Sequence, residues 1–264
     1  MDLFEINLMN YIKNNINIKY TIYFILFDWW IINFPGHENQ NNFISNIFKA
    51  TNYKVITFAY NLNQLNNFYN KDFNPYKNNI LHINLWSSYN NSFSDFNNNP
   101  IKKILLSGEI GEKHYPERKL MLSLNNIEHY TYNMNDVNNT NNNYNKVLNS
   151  YIACFTSSVY IYNETEQKMV NTNMILLKTF EILASGSLLL MPISEDIYLQ
   201  KIGIINKENC ILLDFNKDLN EQISFILDIE NLNYINNIRY NGYLHAKKKL
   251  NSHNKFIEFQ NLLV

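Results

Sequence analysis

Apolar runs of strand length alternate with helical apolar patterns along almost the whole of this 264-residue chain. Parallel sheets with crossover helices on both faces satisfy such a pattern, so the sequence predicts an α/β fold. In the first half, residues 20–27 read as a strand and residues 42–50 as a helix with Phe43, Ile47 and Phe48 on one stripe. Residues 55–59 read as the next strand, completing a βαβ unit. A further strand, 80–86, follows an Asn-rich segment at 61–79. The polar stretch 87–100 then reads as a loop. Length alone accommodates two small lobes, and this loop places their boundary: an N-terminal Rossmann-like lobe over 1–100 and a second lobe with terminal helices over 101–264.

The second lobe repeats the pattern. Strands are expected at 101–106, 127–132, 151–156, 187–191 and 209–215. Helices are expected from Pro116, over 174–184, 219–227 and 231–250, and at the terminus over 254–262. The Asn-dense stretch 133–145 reads as a surface loop in which a helix running to Leu148 can begin, and Glu164, Glu166 and Lys168 are assigned to another loop.

Composition narrows the partners. Apolar residues make up 46% of the chain and aromatics 15%, well above the range of disordered chains. A formal charge of −1, with no basic cluster beyond Lys247-Lys248-Lys249, argues against nucleic acid. The apolar run 20–34 is broken by Asp28 and is too short to span a bilayer, so no transmembrane segment is expected. The first residues lack the basic and small-residue pattern of a secretory signal, which points to the cytoplasm. Cys154 and Cys210 have no ligand spacing to each other or to His, so they read as reduced core thiols.

Parallel sheets bind ligands beyond the carboxyl ends of their strands, which directs the search to strand ends and helix starts. Lys178 and Glu181 lie three residues apart on one helix. A cation there suits a diphosphate, a carboxylate one turn on suits ribose hydroxyls, and the helix N-terminus adds its own attraction for phosphate. Spacing alone also describes an ordinary solvated helix pair. A second cluster follows the strand at 101–106, where Ser107-Gly108-Glu109 leads to Tyr115-Pro116-Glu117-Arg118. Pro116 in a first helical turn leaves free amides for an anion, while a surface Arg118 paired with Glu117 or Glu109 is the plainer reading. Asn133, Thr156 and Ser157, after two strands, are placed to read a nucleobase edge.

The string Lys178-Thr179-Phe180-Glu181-Ile182-Leu183-Ala184-Ser185-Gly186-Ser187-Leu188-Leu189-Leu190 resembles the donor-site helix and following strand of group-1-like GT-B glycosyltransferases, notably the spore-maturation type. The likeness covers roughly residues 101–260 and includes Gly203, Asp214 and Ile238-Arg239-Tyr240-Asn241-Gly242. It implies two Rossmann-type lobes and a nucleotide-sugar donor. Glu181 would contact the donor ribose and Lys178 the diphosphate, and Thr179 is counted with them among the donor-binding residues. Retaining members carry a second Glu eight residues earlier, where this chain has Asn173, so the stereochemical outcome stays open. The Ser107 to Arg118 segment is also similar to the phosphate-side loop of bacterial fucosyltransferases, whose Pro-x-Arg arginine contacts the diphosphate, and this puts Ser107, Gly108 and Arg118 in the donor set.

An inverting transfer needs a general base, and Glu109, His37, Asp28 and Glu38 are the candidate types. The similarity of residues 27–109 to the fucosyltransferases, with their paired Trp and Gly-Glu turn, favours Glu109 over His37. Trp29 and Trp30 suit either a sugar face or the core. His82, His114, His129 and His245 read as structural. With no Asp-x-Asp in the chain, no metal is expected, and the nucleotide sugar is a co-substrate rather than a resident cofactor. The acceptor would be a glycan or a lipid-linked or protein-linked sugar. The competing readings are a non-catalytic sugar-nucleotide or glycan binder and an assembly module built on Asn-rich loops.

Overall fold

A computed structural model of the chain describes residues 22–26, 53–57, 80–82, 93–111, 113–130, 141–163, 167–171 and 175–263. The chain clusters into two compact units, Met1–Leu85 and Trp86–Val264. In the first, β1 (Ile22–Leu26), β2 (Tyr53–Thr57) and β3 (Ile80–His82) form a parallel sheet in the order β1-β2-β3. Its β-branched and aromatic residues suit parallel strands. The helix expected at 42–50 lies outside the described residues.

In the second unit, β4 (Ile101–Ser107), β5 (Ile127–Tyr130), β6 (Tyr151–Phe155), β9 (Leu188–Pro192) and β10 (Ile211–Leu213) make a parallel sheet in the order β10-β9-β6-β4-β5. Leu105 lies opposite Glu128 on one side and Cys154 on the other, and Cys154 lies opposite Leu189. Ile104, Leu106, Phe155, Leu188 and Leu190 form a core with Met121, Ile223, Ile226, Ile235 and Ile238. Leu105, Cys154 and Leu189, one step along their strands, are buried too. Side chains alternate across a strand, so both faces are covered, as the uninterrupted apolar runs require.

The helices are α1 (Pro116–Leu122), α2 (Asn141–Ser150), α3 (Leu177–Ser185), α4 (Asp196–Gln200), α5 (Leu219–Leu227), α6 (Leu232–Lys249) and α7 (Ser252–Leu263). Three local expectations are corrected. The stretch carrying Lys168 is not a simple loop: β7 (Tyr160–Asn163) and β8 (Lys168–Asn171) pair as an antiparallel hairpin, built from Tyr-Ile-Tyr and Met-Val β-formers. A 3-10 turn, Ile193–Glu195, and α4 follow β9, where no element was expected. Helix α3 begins at Leu177, after an extended Leu176 that offers no side-chain cap. The later start moves Lys178 into the first turn, where free amides and the positive end of the helix dipole lie. The helix closes at Gly186, whose left-handed φ of 80° suits glycine, and whose N–H donates to the Leu183 carbonyl.

After β4 the chain runs out to β5 and returns to β6 on the other side of β4. That reversal opens a crevice between the carboxyl ends of β4 and β6, where doubly wound sheets hold ligands.

Candidate functional site

Strand β4 delivers Ser107 and Gly108 to that crevice, and Gly108 takes φ 97°, which a residue with a Cβ rarely adopts. A Cβ at this position would stand 3.4 Å from Lys178 Nζ and 3.5 Å from Arg118 Nη1. Two cations from different helices thus converge on one stretch of bare backbone.

Each cation is held by neutral partners. Lys178 Nζ donates to Ser107 Oγ at 3.0 Å and to Tyr144 OH at 2.8 Å, and the two hydroxyls are 2.7 Å apart. Arg118, only 2% exposed, donates from Nη1 to the Glu109 carbonyl at 3.0 Å. Its Nη2 donates to Thr156 Oγ1 at 3.3 Å and to the Ser157 carbonyl at 3.1 Å. Its guanidinium lies 3.9 Å from the Tyr115 ring centroid. Burial holds Arg118 below the usual arginine range. It does the same for Lys178, where Glu181 opposes the shift and Arg118 adds to it. The Glu181 carboxyl is raised by burial, against the pull of Lys178.

Buried polar groups are normally paired. Among the described residues five buried side-chain atoms have no hydrogen-bond partner, and two of them, Arg118 Nε and Ser157 Oγ, belong to this cluster. Positive charge, a bare glycine turn, a helix N-terminus and unused polar atoms together describe an anion site.

Structures with the same architecture are known. The pneumococcal O-GlcNAc transferase GtfA, solved with UDP and GlcNAc, superimposes with a TM-score of 0.54 at 12% identity, over 97% of this chain and 59% of GtfA. A glycosyltransferase from Rickettsia africae superimposes with a TM-score of 0.50 at 11% identity, over 98% of this chain and 79% of its own. The fold is GT-B. The sequence matches no family model, and no curated protein resembles it in sequence. The chain thus shares the GT-B architecture while spanning about three fifths of GtfA's length.

Within this GT-B fold, Ser107, Gly108, Arg118, Thr156 and Ser157 gather with Lys178, as the sequence places them. Thr179 does not. It is fully buried and its hydroxyl points to Met191 Sδ at 3.7 Å, because neighbouring helix residues diverge by about 100° and Lys178 takes the open side. Glu181 is half-buried one turn along α3. Glu109 is exposed on the loop after β4 and enters the cluster through its carbonyl. His37, Asp28, Glu38 and Asn133 lie outside the described residues. Three of the four histidines expected to be structural hold backbone: His114 bonds to the Tyr160 carbonyl, His129 to that of Gly108 and His245 to that of Ile202. Among the described residues no three His, Cys, Asp or Glu side chains gather as metal ligands.

Sequence reasoning missed Tyr144, which holds Lys178, and the buried pair Ser158 and Glu195. Glu195 accepts from Ser158 N at 2.8 Å and from Ser158 Oγ.

Proposed function

We propose that this protein transfers a sugar from a nucleotide-sugar donor to a hydroxyl acceptor, with its second unit holding the donor. The convergence of Arg118 and Lys178 on Gly108, ringed by unpartnered buried polar atoms, carries this reading. A diphosphate between the two cations would receive charge-assisted bonds from both sides. In the departing nucleoside diphosphate negative charge grows on the same oxygens, so Arg118, Lys178 and the first turn of α3 would stabilise the transition state more than the ground state. These fixed charges do the work that a bridging metal does elsewhere. Glu181 is assigned to the ribose hydroxyls and Glu109 to the proton of the acceptor, while the buried Thr156 and Ser157 hold Arg118. The acceptor is read as a glycan or a lipid-linked or protein-linked sugar. No helix among the described residues is long and apolar enough to cross a membrane, and we assign the protein to the cytoplasm.

A thermal-shift screen against UDP-, GDP-, CMP- and dTDP-sugars tests the reading, since a ligand that binds the native state raises the melting temperature. Lys178→Ala should then abolish transfer and weaken donor binding by calorimetry. Unchanged affinity in this variant would remove Lys178 from the donor site, and binding without transfer would leave a sugar-nucleotide binder.

A further inference from the structure

Arg118 is aimed by a loop rather than by a regular element. Residues 156–159 join β6 to β7 without helix or strand, yet Thr156, Ser157 and Ser158 are 0%, 1% and 0% exposed. Buried irregular backbone needs partners outside itself. The Thr156 N–H donates to the Leu190 carbonyl, which continues the sheet by one step. Beyond it the loop is anchored at Ser158, whose N–H and hydroxyl both donate to the Glu195 carboxylate.

Glu195 is a demanding anchor. It is 0% exposed, and no cation bonds to it among the described residues. Its charged surroundings are Glu117 and Arg118 on α1. Tyr160 on β7 feels its charge, and Asp196 follows it in sequence. Burial raises its pKa to about 7 against the pull of the two Ser158 bonds, with Glu117 pushing the same way as burial. Glu195 and Arg118 feel each other's charge, and the Ser158 N–H that meets Glu195 and the Ser157 carbonyl that takes Arg118 Nη2 belong to one planar peptide unit.

We propose that Glu195 is the positioning residue of the anion site, fixing through Ser158 the buried loop whose Thr156 hydroxyl and Ser157 carbonyl aim the Arg118 guanidinium. The inference rests on the reading of Arg118 and Lys178 as a diphosphate site. Glu195 itself touches no ligand. It acts as an outer partner does for a metal-bound histidine, where loss of the partner commonly costs about 10- to 100-fold in affinity or activity.

The test measures the affinity of the full chain for UDP-N-acetylglucosamine by calorimetry, alongside the melting temperature. Glu195→Ala should weaken binding about tenfold, and Glu195→Gln, whose amide can accept from the Ser158 N–H and donate to the Ser158 hydroxyl, should keep most of it. A cycle with Arg118→Lys separates positioning from general loosening, because lysine keeps the charge but cannot use the loop's paired acceptors. If Glu195 acts through Arg118, Glu195→Ala costs little further in the Arg118→Lys background. Full affinity in Glu195→Ala, or the same tenfold loss in both backgrounds, would overturn the proposal. Should Glu195→Ala fail to fold, Ser158→Ala carries the same cycle, with a loss expected in the parent and none in Arg118→Lys. A folded wild type that binds no UDP-sugar, with Lys178→Ala and Arg118→Lys indistinguishable from it, overturns the site reading and this inference with it.

Discussion

Two arginines are buried in the second unit, and their surroundings differ in kind. Arg239 on α6 is 0% exposed. Its Nη1 donates to Asn236 Oδ1 at 2.6 Å and its Nη2 to the Asn97 carbonyl at 3.1 Å, while the guanidinium lies 4.9 Å from the Phe96 ring centroid. Burial lowers its pKa to about 10. It ties the segment before β4 to α6, among Phe96, Tyr240 and Tyr243. Arg118 is as deeply buried but shares its glycine turn with a second cation, Lys178. Burial therefore does not separate a structural arginine from one that binds a ligand; the neighbours do. An aromatic ring and carbonyl acceptors flank each of them, Tyr115 beside Arg118 and Phe96 beside Arg239. A second positive charge beside Arg118 raises the cost of both, and an incoming anion relieves it.

The comparison is sharpest in paired variants. Arg118→Ala should lower nucleotide-sugar affinity by two orders of magnitude or more, about 3 kcal/mol, as loss of bonds to a charged group implies. Its melting temperature should fall less than that of Arg239→Ala, because losing its bonds to the Glu109 and Ser157 carbonyls is partly offset by relief of the charge beside Lys178, and calorimetry beside a thermal scan reads both. Arg239→Ala should do the reverse, losing roughly 3 kcal/mol of stability to denaturant while the folded fraction binds as wild type does. Equal effects of the two variants on both readouts would erase the distinction.

Glu195 gives the next effect. Its carboxyl holds a proton up to about pH 7 in the fold, against an ordinary value of 4.5. Between those values the native state binds more protons than the unfolded chain, so stability falls as pH rises from 4.5 to 7 and is lowest above it. The full cost is at most about 3 kcal/mol. Glu195→Gln should accordingly be more stable than wild type at pH 8 and close to it near pH 4.5, as denaturant titrations at the two values would reveal. A difference independent of pH would mean that the carboxyl titrates normally. Tyr144→Phe should produce the smallest change. Lys178 keeps Ser107 but loses one acceptor, so donor affinity should fall about fivefold, or ~1 kcal/mol, with the fold unaffected.

The parallel sheet and most of its helices were legible because the inner strands β6 and β9 are uninterrupted apolar runs and helical patterns separate the strands. Arg118 was legible from Pro116 two residues before it, and Lys178 from its spacing to Glu181 and the resemblance of residues 178–190 to a donor-site helix, though not from its place in the first turn. Thr179 went astray through adjacency in sequence, which on a helix means a turn away from the site. Tyr144 and Glu195 are of another kind. Nothing local in an Asn-rich stretch or in Ile193-Ser194-Glu195 says that one residue will meet a lysine 34 positions away and the other a serine 37 positions back. Their roles exist only once the sheet has brought β6, β9 and α2 together. The hairpin of β7 and β8 was hidden by Glu164 and Glu166, charges that read as loop.

Lys178 is already fixed before any ligand arrives, with Ser107 and Tyr144 taking two of its three ammonium protons. A free lysine side chain gives up about 2 kcal/mol of rotamer entropy when it is immobilised. Here that loss belongs to folding, not to capture of the ligand. The third proton is left to meet an incoming oxygen, and the lysine behaves less as a tether that reaches for phosphate than as a charge mounted in place for it.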